Sequence, residues 1–455
     1  MKLRFIAPKN EWGEAVVRYF QGHWEECRVQ EIQVGGRMWL DIHSRSGLRE
    51  GTEYTFNAPE ALQNCFSEER KQKIFRLNRI PEVEEAANTV RLLEVLVVDQ
   101  QLAGFRIRQG NGNWKEIKAG VYAAAAELGK RAVYLLGLDV ARVRVGVSRQ
   151  RQYQVWEVDP APALNRKEQL WLFDYLESLK HTLPNTGGEA MLGADPEFML
   201  MKSRTGRMMP ASNFFPRLGI VGCDAIRTRD HRKRPVAEIR PEPAVSPLEL
   251  VEHIQTALQA ANRLTPYHSI RWLAGSQPFA GFSTGGHVHF SHTACNGHLL
   301  RALDVYAAVP VFLLEMPENA AARRRKYGML GDYRLKEYGG FEYRTLPSWL
   351  VSPEWTRAVL CLCKVIAGSY SVLDTSLFFD PEMQQNFYQG KRGFFRENVI
   401  RDLEFRLRQV KRYDDYREPL DWLFAQIREK KRWNEKGDVR AQWGIPVAAN
   451  RRRSR

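Results

Sequence analysis

Hydrophobic and polar residues alternate with a period of two in several short stretches of the first 165 residues. Residues 38–42, 143–147 and 153–158 each show this alternation. Because neighbouring side chains of a strand point to opposite faces, the pattern predicts half-buried β-strands. Residues 119–136 are rich in alanine and are followed by Gly137, which predicts a helix that ends at this glycine. We therefore expect the N-terminal part to be an α/β domain.

Further along the chain, the apolar residues follow the helical period instead. After Pro247, an apolar stripe is formed by Leu250, Val251, Ile254, Leu258 and Ala261. Ser246 and Glu249 have the spacing of a capping box, so the helix is predicted to begin there. A second helix is predicted over roughly residues 298–314. Helices with one apolar face of this kind are expected to cover the back of a sheet.

Breaks in the pattern divide the chain into predicted domains. Residues 167–180 predict a connecting helix, and the sequence PNTGG at 184–188 interrupts regular structure. We expect an α/β domain over residues 1–185, a second domain over 189–380 and a helical C-terminal extension over 381–455. The extension ends in a basic tail, residues 451–455, which is predicted to be disordered.

Four short segments of the second domain carry chemically reactive side chains two positions apart. The pairs are Asp195 and Glu197, Glu238 and Arg240, His287 and His289, and Glu342 and Arg344. On a strand, two such residues face the same side, and most residues between and beside them are apolar. The pattern therefore predicts strands with one apolar face and one polar face that lines a cleft.

The chemistry of these side chains favours a metal ion and a phosphate group in that cleft. Carboxylates are the oxygen ligands that Mg²⁺ or Mn²⁺ prefers, and an imidazole can join them. Arginine guanidinium groups match phosphate oxygens with two parallel hydrogen bonds. Together they predict a nucleotide whose phosphates are bridged by a divalent metal.

The pair His287 and His289 has two other interpretations. A His-x-His pair also begins the metal site of many metallohydrolases, although those sites need further histidines and a late aspartate. Alternatively, both imidazoles could be satisfied within the strand and have a structural role. The residues alone leave these alternatives open.

The formal net charge of +15 also allows several interpretations. They are a solvated basic surface, a site for anionic substrates such as nucleotide phosphates, and a nucleic-acid-binding surface. We place nucleic acid last because no nucleic-acid-binding motif accompanies the charge.

The six cysteines are scattered without a C-x-x-C pair, which disfavours zinc ribbons and a disulfide framework. No uninterrupted apolar stretch reaches the roughly 18 residues that a membrane helix needs, and residues 1–5 do not resemble a signal peptide, so a cytoplasmic protein without membrane contact is expected.

The second domain resembles a known family. Residues 193–198, 238–241, 286–290, 331–334 and 341–348 are similar, in this order, to the phage-type carboxylate–amine ligases of type 2. This family is a branch of the amidoligases, which are related to glutamine synthetase and glutamate–cysteine ligase. The resemblance implies an α+β fold: a curved antiparallel sheet with helices on its back and the active site on its concave face, preceded by a smaller α/β domain.

The resemblance also implies ligands for two metal ions. Asp195, His287 and Glu342 would surround the ion nearest the phosphates of ATP. Glu197 and Glu238 would hold a second ion near the acceptor carboxylate. For a third ligand of the second ion we choose Asp224 and keep Asp230 in reserve. The family has a second glycine in this turn where the present chain has Ala225, which puts the geometry of the turn in question.

Basic residues and one histidine are expected to contact the nucleotide. By resemblance, Arg344 would face the transferred phosphoryl group, and His289 and Arg240 would lie on the nucleotide side. The basic segment 323–336 could close over the phosphates, and from it we select Arg325 and Arg334. Its alternative interpretation is a solvated basic helix end.

The N-terminal part has a second resemblance, to the last portion of an ATP-grasp domain. It is carried by residues 136–139 and 157–162, where Asp159 stands in place of the usual asparagine. No glycine-rich phosphate loop precedes these segments. A reduced, inactive relative is expected, and an unrelated α/β module stays open.

The predicted function is an ATP- and Mg²⁺-dependent carboxylate–amine ligase that forms an amide or peptide-like bond through an acyl phosphate. Its substrates would be small-molecule or peptide carboxylates and amines. The alternative is a non-catalytic module that binds a peptide or a nucleotide in a ligase-like cleft. A basic nucleic-acid-binding protein is the third hypothesis.

Overall fold

The computed structural model describes residues 2–46, 53–83, 89–110, 112–182 and 189–447 of the 455-residue chain. The predicted interruption at 184–188 and the basic tail lie outside these residues. The chain divides into two compact units. The first consists of Met1–Thr186, Cys295–Arg301 and Tyr370–Gln385, and the second of Gly187–Ala294, Ala302–Ser369 and Asn386–Arg455. Both units contain helices and sheets, so the mixed α and β class is confirmed. The predicted domain limits stay predictions.

The first unit contains two β-sheets. Its strands are β1 (Lys2–Pro8), β2 (Glu26–Val34), β3 (Arg37–Arg45), β4 (Glu53–Phe56), β5 (Thr89–Val98), β6 (Gln101–Gln109), β7 (Lys115–Glu116), β8 (Val140–Ser148) and β9 (Tyr153–Asp159). One sheet has the order β2-β3-β1-β4, with β1 and β4 parallel, and the other has the antiparallel order β7-β6-β5-β8-β9. The three alternating segments of the sequence correspond to β3, β8 and β9.

Before residue 183, the described part of this unit also contains five α-helices. They are α1 (Glu11–His23), α2 (Pro59–Phe66), α3 (Glu68–Asn78), α4 (Ala123–Leu136) and α5 (Arg166–Thr182). Gly137 follows α4 with a φ of 84°, the left-handed conformation that glycine adopts without strain, and this ends the helix where the sequence predicts. Helix α4 packs on β5, β8 and β9 and buries Ala132, Val133 and Leu136.

In its described residues, the second unit has eight strands and most of the later helices. The strands are β10 (Met191–Lys202), β11 (Met208–Met209), β12 (Val221–Cys223), β13 (Val236–Ile239), β14 (Ile270–Leu273), β15 (Gly286–Ser291), β16 (Tyr333–Leu335) and β17 (Phe341–Tyr343). The helices are α6 (Pro247–Leu264), α7 (Gly297–Leu303), α8 (Val309–Leu314), α9 (Pro317–Arg324), α10 (Pro353–Ser369), α11 (Pro381–Tyr388), α12 (Arg392–Asn398), α13 (Ile400–Arg408), α14 (Arg412–Asp415), α15 (Arg417–Arg428) and α16 (Val439–Gln442). The ranges of α7 and α11 run across the division between the units.

The helix predicted over 298–314 is interrupted by a wider turn. A π-helical turn at Asp304–Ala308 separates α7 from α8. The run Gly297–Leu314 is long and apolar enough to cross a membrane, but 94% of it is buried within the protein. This burial is what a core helix shows.

The register of the second unit's sheet places the carboxylates and histidines of the four reactive pairs on one face. The strand order is β12-β13-β10-β15-β17-β16, and β10 also pairs with β11 and β14. Asp195 lies opposite His287, Glu197 opposite Glu238, and Glu342 opposite His289. Directly opposed residues of an antiparallel pair point to the same side. The polar face that the sequence predicts therefore exists as a continuous surface across four strands.

The other face of this sheet is apolar and buried. Phe198, Val288, Phe290 and Phe341 have no exposed surface. Helix α6 contacts β10, β12 and β13 and buries Leu250, Ile254, Leu258 and Ala261 of the predicted stripe, together with Ala257, whereas Val251 stays partly exposed. The helix thus covers the back of the sheet, as the sequence predicts.

Replacing Ser246 with alanine should lower the free energy of unfolding. The Ser246 hydroxyl accepts hydrogen bonds from the backbone N–H groups of Leu248 and Glu249 at the start of α6. Loss of such a cap costs about 1 kcal/mol. Urea unfolding of Ser246→Ala measures the loss, and Ser246→Asp should retain most of the stability. Equal losses in both variants would contradict a capping role.

Candidate active site

Asp195 lies at the centre of the polar face, between the two histidines of β15. Its Oδ1 is 3.0 Å from Nδ1 of His287, and its Oδ2 is 3.2 Å from Nε2 of His289. Burial raises the pKa of the Asp195 carboxyl, but the two imidazoles outweigh burial and hold the pKa well below its usual range. Asp195 is therefore ionised at any physiological pH.

Glu342 on β17 is the second carboxylate of this centre. Its Oε1 is 3.1 Å from Nδ1 of His287 and 3.2 Å from Nε of Arg344, and its Oε2 is 2.5 Å from Nζ of Lys336. Burial raises the pKa of this carboxyl, and the nearby His287 and Lys336 lower it to a value below the usual one. The side chain is almost fully buried, so these cations are what mainly offsets the cost of burying its negative charge.

The centre has the donor atoms that a divalent cation requires. Ligand atoms of Asp195, His289 and Glu342 all lie within 4.8 Å of one another. Nε2 of His289 and Oε2 of Glu342 are buried and make no well-aligned hydrogen bond. Two carboxylates and one imidazole gathered this closely suit Mg²⁺ or Mn²⁺. The residues present therefore fit a metal ion.

The two histidines occupy different positions in this centre. The sequence assigns His287 to the metal and His289 to the nucleotide, whereas the compact donor set includes His289. His287 instead places Nδ1 between Asp195 and Glu342, where burial lowers its pKa but the carboxylates, Asp195 first, raise it to about 9. As a cation, His287 compensates the two carboxylates in the metal-free protein. Which imidazole binds metal stays a prediction.

Glu197 and Glu238 form a neighbouring acidic pair across β10 and β13. Oε2 of Glu197 accepts a hydrogen bond of 2.7 Å from the backbone N–H of Gly285, and Oε2 of Glu238 is 2.5 Å from Nη2 of Arg240. Burial raises the pKa of Glu197 to about 7. Burial and the charge of Asp195 raise that of Glu238 to about 8. Both side chains would therefore release a proton to the solvent when a cation binds.

The two candidates for a third acidic ligand are placed differently. Asp224 follows β12 and lines both cavities of the site, and its Oδ1 accepts a hydrogen bond of 2.7 Å from the N–H of Ile226. Asp230 is exposed, bonds to Thr228 and does not line either cavity. The structure thus brings Asp224, and not Asp230, to the acidic residues.

Two cavities border the carboxylates. The larger has a volume of about 630 Å³ and is lined by Asp195, Glu238 and His289 together with cationic side chains: Arg217, Arg240, Arg334 and Lys336. The smaller has a volume of about 180 Å³ and is lined by Glu197 and His287 together with Arg323, Arg334 and Arg344. Each cavity thus combines carboxylates with several cations, which is the environment that anionic substrates require.

The predicted arginines are distributed unevenly around these cavities. Arg334 is exposed on β16, lines both cavities and lies opposite Glu342, with Nη1 3.7 Å from Oε2. Arg344 lines the smaller cavity and Arg240 the larger. Arg325 is exposed at the end of α9 and does not line either cavity.

Arg323 is a site residue that the sequence did not single out. Its buried guanidinium donates hydrogen bonds to the carbonyl oxygens of Thr284, Thr345 and Leu346, at 3.2, 2.8 and 2.8 Å. It thereby ties the segment before β15 to the segment after β17, and burial lowers its pKa to about 10. Arg323 stands in a run of three arginines, so only burial distinguishes it from Arg325.

Two glycines leave room for site side chains. A Cβ built at Gly285 would clash with Nε2 of His287, and a Cβ built at Gly222 would clash with Nη1 of Arg240. A larger residue at either position would displace a polar group from its place on the sheet.

A protein-family model matches this half of the chain. The model of the phage phiEco32-like COOH.NH2 ligase-type 2 family matches residues 192–445. The chain belongs to this family. The resemblance found in the sequence is thereby confirmed, and the match covers every strand and every reactive pair of the candidate site.

The similarities between this COOH.NH2 ligase-type 2 protein and solved structures are weaker than its match to the family model. A bifunctional glutathione synthetase from Pasteurella multocida has 11% identity and a TM-score of 0.37, and the match covers 53% of the present chain and 48% of the synthetase. The ATP-grasp ligase PsnB, in complex with precursor peptide PsnA2 and AMPPNP, has 13% identity and a TM-score of 0.26, covering 38% and 95% of the two chains. The macrocyclase MdnB from Microcystis aeruginosa MRC has 11% identity and a TM-score of 0.22, covering 38% and 97%.

These structural similarities agree with the ATP-grasp resemblance of the sequence but are too weak to support an argument about fold or activity. The chain spans about half of the glutathione synthetase that it matches. Among curated proteins, no significant match is found.

Added Mg²⁺ should stabilise this COOH.NH2 ligase-type 2 protein more at high pH than at low pH. The pKa values of Glu197, Glu238 and His287 are raised in the folded state, so the metal-free fold loses stability as pH rises from about 5 to about 9. A bound cation offsets the resulting negative charge and competes with protons at lower pH. Thermal unfolding with and without Mg²⁺ at about pH 6 and about pH 9 measures both effects. In Glu238→Gln both should shrink, and an unchanged pH dependence in that variant would contradict this account.

Gly285→Ala should weaken metal binding through His287. The added methyl group displaces the imidazole that lies against Asp195 and Glu342, and disturbed positioning groups typically cost 10- to 100-fold, to order of magnitude, in metal affinity. Titration with Mn²⁺ followed by electron paramagnetic resonance measures the affinity. Gly22→Ala on α1, where a Cβ meets open space, is the matched control and should bind Mn²⁺ normally. Normal binding by Gly285→Ala would show that the position of His287 does not matter.

Proposed function

We propose that the protein is an ATP- and Mg²⁺-dependent carboxylate–amine ligase that forms an amide or peptide-like bond through an acyl phosphate. In this proposal the sheet of the second unit corresponds to the curved sheet of glutamine synthetase, with the active site on its polar face. Membership of a carboxylate–amine ligase family supports the reaction class.

One observation carries the proposal. Asp195 and Glu197 on β10, Glu238 on β13 and Glu342 on β17 lie beside the two histidines of β15, and cavities lined by arginines flank them. A structural cluster of this kind would be costly, because burial and mutual repulsion disfavour the ionised carboxylates. Binding of divalent cations and phosphate groups gives the cluster a use that compensates this cost.

The proposed reaction needs two substitution steps. A carboxylate is a poor electrophile, so one of its oxygens first attacks the γ-phosphorus of ATP, and ADP leaves. The amine then attacks the carbonyl carbon of the acyl phosphate, inorganic phosphate leaves, and the nitrogen loses a proton. Both steps concentrate negative charge on phosphoryl oxygens, and fixed cations stabilise such charge.

The residues are assigned as follows in this proposal. Asp195, Glu342 and either His287 or His289 hold one divalent ion, and Glu197, Glu238 and Asp224 hold another. These ions supply charge neutralisation at the phosphoryl oxygens. Arg344 faces the transferred phosphoryl group, and Arg334, which lines both cavities, contacts the phosphates. Arg240 and the histidine that does not bind metal lie towards the nucleotide.

Several wider features belong to the same proposal. The substrates are small-molecule or peptide carboxylates and amines, and the protein acts in the cytoplasm. Residues 1–185 form a domain related to ATP-grasp but inactive, and residues 381–455 form an extension of the catalytic domain. Arg325 receives little support from its position, so we assign the catalytic contribution of the basic segment to Arg334.

Replacement of Glu342 or Glu238 by glutamine should lower ligase turnover by about 10²- to 10³-fold, because a charge that holds a cation at the phosphoryl oxygens is lost. The protein is incubated with ATP, Mg²⁺ and pooled amino acids or peptides, and release of ADP and phosphate is followed. Hydroxylamine added in place of the amine should trap the acyl phosphate as a hydroxamate.

Glu252→Gln is the matched control, because Glu252 is an exposed carboxylate on α6. Its turnover should equal that of the unchanged protein. Equal turnover in Glu342→Gln and Glu238→Gln would contradict the proposal. Binding of ATP without turnover over many acceptors would favour the alternative of a non-catalytic binding module.

A further inference from the structure

A strongly basic loop borders the candidate active site. The chain between β12 and β13 contains five lysine and arginine residues within eight positions: Arg227, Arg229, Arg232, Lys233 and Arg234. We call residues 227–234 the basic loop. The catalytic chemistry proposed above does not use any of these side chains.

The basic loop begins at the wall of the site. Asp224 and Ala225 line both cavities and Ile226 lines the smaller one, whereas residues 227–234 do not line either. Of the five basic side chains, all but that of Arg234 belong to exposed residues. The loop therefore carries its charge at the rim, outside the space that a reacting group would occupy.

Internal hydrogen bonds hold the loop in one conformation. The N–H of Thr228 donates to the carbonyl oxygen of Lys233 at 2.9 Å, and the N–H of His231 donates to that of Thr228 at 2.8 Å. The hydroxyl of Thr228 also donates to Oδ1 of Asp230 at 2.5 Å. The cations are therefore displayed side by side on a folded turn.

The basic loop carries five positively charged side chains and one negatively charged side chain, that of Asp230. In the described ranges of the chain, none of its five lysine and arginine side chains forms an ion pair with a carboxylate. Arg217 and Arg240 continue the positive charge from the rim into the larger cavity. Such a surface attracts an anionic partner that extends over several charges.

We propose that the basic loop binds an acidic segment of a peptide substrate, rich in aspartate and glutamate, next to the carboxylate that reacts in the site. This rests on the proposed function, which requires a carboxylate acceptor. An acidic peptide supplies both the reacting carboxylate and the additional negative charges, whereas a single amino acid lacks those additional charges. A nucleic acid supplies charge but no carboxylate, and the loop has no phenylalanine, tyrosine or tryptophan on which bases could stack.

The test is binding of a fluorescein-labelled oligo-glutamate peptide of about ten residues to the full chain, measured by fluorescence anisotropy without ATP. Affinity should fall between about 50 mM and about 200 mM salt. In the triple variant Arg229→Gln, Arg232→Gln, Lys233→Gln it should fall at least about tenfold at the lower salt concentration. These side chains make no hydrogen bond within the loop, so the turn should stay intact, and circular dichroism and thermal unfolding check this.

A matched control removes three exposed positive charges elsewhere: Lys391→Gln, Arg401→Gln, Lys411→Gln. This variant should bind oligo-glutamate like the unchanged protein, and an oligo-glutamine peptide should not bind to any of the three proteins. Equal losses in both triple variants would reduce the effect to net charge and overturn the proposal. Undiminished binding by the loop variant would also overturn it.

Preferential, loop-dependent binding of a single-stranded or duplex nucleic acid over oligo-glutamate would overturn the proposal in favour of a nucleic-acid partner. Because the assay contains no ATP, a failure of the ligase experiment and a failure of this one are separate results.

Discussion

Concentrated negative charge on one face of a β-sheet is the constraint around which the second unit is built. Four acidic side chains lie close together on a largely buried surface, and each needs compensation. Asp195 and Glu342 share His287, Glu342 also has Lys336 and Arg344, and Glu238 has Arg240. Glu197 receives a backbone N–H from Gly285. The cations and glycines around the site follow from this requirement.

The same constraint explains why the compensation is incomplete. Burial keeps the pKa of Glu197 raised despite His287 and the N–H of Gly285, and burial together with the charge of Asp195 keeps the pKa of Glu238 raised despite Arg240. A protein under selection for stability alone would replace such groups, because unpaired buried charge is expensive. Their presence beside the compact donor set of Asp195, His289 and Glu342 is what an ion-binding surface requires.

The strands of the site could be predicted because most residues between and beside the reactive pairs are apolar. The segments also follow one another in the same order as in the family. Same-side placement of Asp195 and Glu197, or of His287 and His289, follows from strand geometry alone. The strand pairings do not follow from strand geometry, because the partners of β10 depend on the long connections between the segments. The distances of His287 and His289 from the carboxylates of β10 and β17 therefore could not be predicted from the sequence.

Other features also depend on tertiary contacts that leave no local pattern. Arg323 and Arg325 belong to one run of arginines, and only packing against three carbonyl groups distinguishes the first from the second. The helix predicted over 298–314 contains a π-helical turn that begins at Asp304. Asp304 accepts a hydrogen bond of 2.6 Å from the hydroxyl of Tyr343, which lies 39 residues later in the sequence. Hydrophobic periodicity contains no information on either contact.

Strand β10 pairs with four other strands, and this has a consequence for how the site tolerates change. Substitutions alter one side chain at a time, but the insertion or deletion of a single residue within β10 would exchange its two faces. Asp195 and Glu197 would then point into the apolar layer, and Phe198 would point into the cleft. Length variation among relatives, and in engineered libraries, should accordingly concentrate in the connections, such as the turn between β10 and β11, while the length of β10 itself stays fixed.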